Sequence, residues 1–162
     1  MQQLKIDHND TYLLRKLLPL ICLSIPWEVY FYSSGWGIKF SVFYANFDIE
    51  YGTLFVSILR QITLLSYGGL SPSIRTLAWF FGAILCIALM FYEILKENIE
   101  IDYGIKTSGY LLICCGILTL ISSIAVWNVD FKTLPIAPFF FAVFGYLFIQ
   151  TDKGEQLSDT KT

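Results

Sequence analysis

Ile74–Leu95 reads I-R-T-L-A-W-F-F-G-A-I-L-C-I-A-L-M-F-Y-E-I-L, with Arg75 at its start and Glu93 near its far end. Two further apolar runs follow, Ser108–Trp127 and Leu134–Ile149, and neither contains a charged residue. A helix that crosses a bilayer needs roughly 20 mostly apolar residues, whereas a run of 10–14 is more often a buried soluble helix. The three runs therefore predict an integral membrane protein.

Upstream, Leu17–Tyr32 is a fourth apolar run, preceded by Arg15 and Lys16. A cleaved signal peptide wants small residues at its end. Here Tyr30-Phe31-Tyr32 is bulky and Pro26-Trp27-Glu28 interrupts the run. It reads as a retained first span, from about residue 13 to 32, containing Pro19 and Pro26. Ser33–Ala45 carries two glycines followed by alternating bulky residues, which fits a turn and then an extended or interfacial stretch. In Tyr51–Tyr67 the apolar residues Leu54, Phe55, Ile58, Ile62 and Leu65 recur at helical spacing around Arg60 and Gln61. That segment reads as an amphipathic or partly inserted helix. Tyr67-Gly68-Gly69-Leu70-Ser71-Pro72 breaks it, with Ser71 and Pro72 suited to a helix start.

The predicted fold is an all-α integral membrane bundle over residues 1–150. Its four spans lie at about 13–32, 74–95, 108–127 and 134–149, with an interfacial or re-entrant helix at 51–67 and a polar tail at 151–162. Asn128–Thr133 reads as a tight turn joining the last two spans as a helical hairpin. Five spans are the alternative, and charge separates the two. With four, one side of the membrane holds Lys5, Arg15, Lys16, Lys96, Lys106, Lys153 and Lys161, seven, and the other Lys39, Arg60, Arg75 and Lys132, four. With five, Arg60 lies in the bilayer and the remaining split is five against five. Cytoplasmic loops are enriched in Lys and Arg, so four spans with both termini cytoplasmic are preferred in the cell membrane.

Composition narrows function by exclusion. The chain has 162 residues, enough for one membrane bundle and too few for an added soluble domain. Net charge is -2, so no basic balance argues for nucleic acid. Histidine occurs once, as His8, which excludes a His-rich metal site and disfavours Ser–His or Cys–His nucleophile pairs. Cys22, Cys86, Cys114 and Cys115 all lie in apolar stretches, without a C-x-x-C, and read as small packing residues. No motif of catalysis, cofactor binding or transport stands above background, no cofactor is expected, and no internal repeat is present.

Three short pieces carry a resemblance: Ile25-Pro26-Trp27; Tyr67-Gly68-Gly69-Leu70-Ser71-Pro72 followed by Leu77-Ala78-Trp79; and Pro135-Ile136-Ala137-Pro138. Their order and spacing resemble a family of small archaeal membrane proteins of unassigned function, over most of residues 13–150. The resemblance implies a multi-span membrane protein and supplies no catalytic residues.

Candidate functional residues come from two sources. Ionisable residues at membrane depth are costly, which singles out Glu28 and Arg60 as an intramembrane charge pair and Glu93 as an interfacial carboxylate. Aromatic side chains dominate binding hot spots and interfacial belts. Trp27, Trp36, Phe40, Phe43 and Tyr44 are thus expected to contact lipid or a partner. The leading expectation is a non-catalytic accessory or structural subunit that docks to a membrane protein, or to further copies of itself, through the aromatic segment 35–69. The alternative is a small transporter or ion-conducting oligomer using Glu28 and Arg60.

Overall fold

The computed structural model describes residues 17–18, 20–67, 69–95 and 105–159, with side chains from residue 151 onward, and those of Ser66 and Ile105, not described. A helical segment ends at residue 24, where Ile25-Pro26 follows. Proline supplies no backbone donor and cannot continue a helix ladder. The chain then forms four antiparallel strands: β1 (Glu28–Tyr32), β2 (Gly35–Lys39), β3 (Phe43–Asp48) and β4 (Gly52–Ser57). Short helix α1 (Ile58–Thr63), a 3-10 turn (Leu65–Tyr67) and helix α2 (Leu70–Leu95) come next. Helix α3 (Ile105–Ile124), strand β5 (Phe131–Pro135) and helix α4 (Ala137–Asp159) complete the order.

Local chemistry sets the strand turns. Ser33-Ser34 joins β1 to β2 as a two-residue turn, pairing Tyr32 with Gly35 and Glu28 with Lys39. At the β3–β4 turn the Asp48 carboxylate accepts from the amides of Glu50 and Tyr51, at 2.8 and 3.1 Å, and Gly52 takes φ +75°. Only glycine adopts that backbone readily. Asn128 does the same work ahead of β5, its Oδ1 accepting from the amides of Asp130 and Phe131.

The sheet order is β4-β3-β2-β1-β5, so the strand lying between α3 and α4 closes the edge beside β1. Cross-strand partners share a face. Glu28, Tyr30, Tyr32, Lys39, Tyr44, Asn46, Phe131 and Thr133 therefore share the inner face. Val29, Phe31, Trp36, Ile38, Phe43, Phe47, Phe55 and Leu134 share the outer one.

The long helices pack α2 on α3 and α3 on α4. A Cβ placed on Gly109 would lie 2.7 Å from the Gly145 carbonyl oxygen, and one on Gly145 would lie 2.8 Å from that of Gly109. Two bare backbones thus touch where α3 crosses α4, as small residues permit. Trp27 joins the layers. It is 1% exposed, meets Phe141 of α4 edge-on at 5.8 Å, and donates its indole N–H to the Cys22 carbonyl at 2.8 Å. Its own carbonyl receives the amides of Ile136 and Ala137. Cys22, Cys86 and Cys115 are buried free thiols, and Cys114 is an exposed one.

This architecture overturns the all-α bundle. The expected first span is helix and then β1. The expected amphipathic helix at 51–67 is β4, α1 and a 3-10 turn. The expected tight turn at 128–133 contains the start of β5, and the expected final span begins in that strand. Helix α4 continues to Asp159 through most of the expected polar tail. The strands share one reason for escaping the sequence pattern: over five or six residues an apolar run cannot be told from a helix segment by periodicity alone. The turn and extended stretch expected at Ser33–Ala45 are present as the β1–β2 turn, β2 and the start of β3. Glu93, expected at an exposed interface, is buried and accepts from the Ser108 hydroxyl at 2.6 Å. Pro19, residues 1–16 and the connection 96–104 lie outside the described residues. By length and composition, Leu70–Leu95 and Lys106–Ile124 are apolar enough to cross a membrane, while Ala137–Gln150 is apolar but shorter.

Candidate functional site

Hairpin register puts Glu28 across from Lys39 on the inner face of the sheet, and α2 brings Arg75 to the same point. Lys39 Nζ lies 2.9 Å from Glu28 Oε2, and the Arg75 guanidinium donates to Oε1. Ser123, near the end of α3, donates to Oε2 at 2.6 Å. Both carboxylate oxygens are thus occupied, as a buried charge requires. Lys39 also donates to the Ser122 hydroxyl at 2.9 Å, and that hydroxyl donates to the Arg75 carbonyl at 3.0 Å. Thr133 of β5 donates to the Ser123 carbonyl at 2.9 Å. Sheet and helices are tied together through one polar cluster.

The cluster holds two cations and one anion. Burial by itself would raise the Glu28 carboxyl, but Lys39, Arg75 and the Ser123 hydroxyl overcome it and hold the group below the usual carboxylate range. Burial pushes Lys39 down; Glu28 opposes the shift and Arg75 adds to it, leaving the amine at about 7. The Arg75 guanidinium lies 4.9 Å from the Tyr30 ring centroid and 4.8 Å from that of Phe131, and Lys39 Nζ lies 5.4 Å from that of Trp79. Ring faces attract cations most when water is excluded. Gly37 makes room for this arrangement: any side chain there would occupy the space of the Tyr30 ring.

Beside the cluster is a cavity of about 470 Å³ between the inner face of the sheet and the sheet-side ends of α2 and α3. Lys39 and Arg75 line it with the aromatic side chains of Tyr30, Tyr32, Tyr44, Trp79 and Phe131. Asn46, Gln61 and Asn128 add three carboxamides. Tyr30 donates its hydroxyl to Asn46 Oδ1, and Tyr44 donates to Gln61 Oε1 at 3.1 Å. Glu28 does not line the cavity.

Lys39 and Ser122 have the composition of a base–nucleophile pair. The serine is 1% exposed, does not line the cavity, and has its proton committed to the Arg75 carbonyl. The contact therefore serves structure in this arrangement. Among the described residues no group of three or more His, Cys, Asp and Glu side chains could hold a metal ion.

The structure redistributes the residues singled out from sequence. Glu28 is in the cluster, but its partners are Lys39 and Arg75 rather than Arg60, which is exposed on α1. Trp27 is a core residue and cannot meet a partner. Tyr44 faces the cavity. Trp36 and Phe43 lie on the outer face, Trp36 stacked on Phe47 at 4.4 Å, while Phe40 stacks on Phe43 at 4.8 Å. The sequence pattern does not single out Lys39, Arg75, Ser123 or the three amides. One signal for Lys39 was available: counting outward from Ser33-Ser34 as a hairpin turn pairs it with Glu28. No family model, curated protein or solved structure matches this chain.

Proposed function

We propose that this is a small membrane-anchored binding protein whose cavity takes an anionic ligand at the bilayer boundary. The observation that carries the reading is the pair of cationic side chains, Lys39 and Arg75, on the wall of a cavity that no carboxylate lines. Two cations share one carboxylate, the carboxylate is sealed away, and Arg75 remains 19% exposed at the cavity wall. Inside an aromatic enclosure such charge acts at lower dielectric than in water and is felt more strongly.

Membrane anchoring rests on where the apolar surface lies. Only 39% and 44% of the most apolar windows of α2 and α3 are buried. Leu77, Phe81, Ile84 and Phe91 on α2 point outward, as do Ile117, Leu120, Ile121 and Ile124 on α3. A soluble core helix hides such residues, whereas lipid solvates them. Lys39, Arg60, Arg75 and Lys132 belong to the sheet-side segments.

The test is thermal unfolding in an uncharged detergent with phosphate, sulfate or citrate against equal ionic strength of chloride. A ligand at 100 times its Kd stabilises by about 2.7 kcal/mol, so at least one oxyanion raises Tm and Arg75→Gln abolishes the rise. No specific shift with any oxyanion would overturn the reading.

The outer sheet face favours a second, compatible reading, an accessory subunit docked to a membrane protein through segment 35–69. An antiparallel sheet with one face on a core commonly presents polar residues on the other. Here Phe31, Trp36, Phe43, Phe55 and Leu134 are exposed. Trp36→Lys with Phe55→Lys should release a co-purifying partner without unfolding the chain, and retention of the complex would refute that surface. The transport reading has less support, because it needs Glu28 and Arg60 on one path and they are not brought together.

A further inference from the structure

Resting on the anion-site reading, we infer that the ligand is the phosphate of an anionic phospholipid headgroup, held by a cavity wall built from hydrogen-bond donors. The three carboxamides carry the argument. An amide oxygen only accepts and its nitrogen only donates, so whatever binds the oxygen fixes the role left to the nitrogen. Asn46 Oδ1 accepts from Tyr30, Gln61 Oε1 from Tyr44 at 3.1 Å, and Asn128 Oδ1 from the amides of Asp130 and Phe131 at 2.9 and 2.8 Å. Among the described residues none of the three nitrogens has a protein acceptor. Together with Arg75 and Lys39 they make five donor side chains on one cavity, and no carboxylate is among its lining residues.

Such a wall selects a ligand rich in acceptors. The donors come from β2, β3, α1, α2 and the turn before β5, so they surround the space rather than lie in one plane. A planar carboxylate can be satisfied by one guanidinium fork, whereas a tetrahedral phosphate presents oxygens in several directions. Position supplies the lipid. The cavity lies at the sheet-side ends of α2 and α3, where their outward apolar surface begins, and about 470 Å³ suits a headgroup. Val126, Pro72 and Trp79 give it an apolar margin toward the helices.

The experiment places the full chain in nanodiscs of phosphatidylcholine, with or without phosphatidic acid, and in uncharged detergent with inorganic phosphate. It reads Tm and the lipid retained in native mass spectrometry. Asn46→Asp and Gln61→Glu keep the oxygen that receives each tyrosine but replace the donor with a negative charge. Lys132→Gln on the outer face is the control. Phosphatidic acid should raise Tm and be retained over phosphatidylcholine. Either acidic variant should lower its affinity at least about tenfold, a loss of about 1.4 kcal/mol, and the control should not. Binding of inorganic phosphate without lipid enrichment would overturn the lipid source and leave an anion site. Stabilisation by sulfate or citrate with no response to either phosphate probe would overturn the phosphate assignment and still leave that site. No response to any anion would remove both readings. Equal binding by the wild type and both acidic variants would overturn the donor wall.

Discussion

Glu28 is the residue on which the cluster depends, because among the described residues it is the one anion paired with both buried Lys39 and partly buried Arg75. Removing one partner of a buried ion pair costs about 3–5 kcal/mol by leaving charge uncompensated. Glu28→Gln should therefore lower unfolding stability by about that amount near neutral pH, measured by chemical denaturation. The acid limb follows from the depressed carboxyl. A group whose pKa is lower in the folded state contributes stability above its unfolded pKa and loses it as pH falls through the folded one. The gap between wild type and Glu28→Gln should narrow on acidification below the ordinary carboxylate range. Lys39 acts in the opposite window. At about 7 when folded, against about 10.4 when unfolded, it leaves the unfolded chain holding more protons between those values. Stability should rise with pH across that interval, and Lys39→Met should flatten the rise. A wild-type profile that is flat there would contradict the depressed amine. At this scale the sequence was half legible. The cost of burying charge pointed to Glu28, but its partners depend on a hairpin register and on a helix 47 residues away.

The helices were legible because their apolar length is a direct physical requirement, and α2 and α3 lie within a few residues of where that length puts them. The strands were not, because adjacent Leu54 and Phe55 break strand alternation yet fall at helical spacing with Ile58 and Ile62. Pro135 reads as the opening of a helix and is in fact the last residue of β5, after which the Trp27 carbonyl receives the next two amides. Packing between α3 and α4 yields a sharper expectation. Gly145→Val places a side chain against the Gly109 backbone, which cannot rotate away. Overpacking of this kind costs about 1–3 kcal/mol, so Tm should fall while Gly69→Ala, with open space around it, changes little. An unchanged Tm for Gly145→Val would mean that the two helices do not meet at these glycines.

Across the molecule, the candidate site was illegible in the sequence because the cavity is assembled from Lys39, Asn46, Gln61, Arg75 and Asn128, which no local spacing connects. Each reads separately as a surface polar residue. The fold unites them by laying a meander across the helix ends and closing its edge with a strand that arrives after α3. The same construction leaves two unlike surfaces, a donor-lined cavity inward and an aromatic face outward. Inward, the account asks for one anion per chain. Isothermal titration of a short-chain phosphatidic acid into the protein in uncharged detergent, for wild type and Gln61→Glu, tests it. Binding should be saturable and one-to-one, weaken with ionic strength and drop at least about tenfold in the variant. Binding that does not saturate, or that is equal in both proteins, would contradict it.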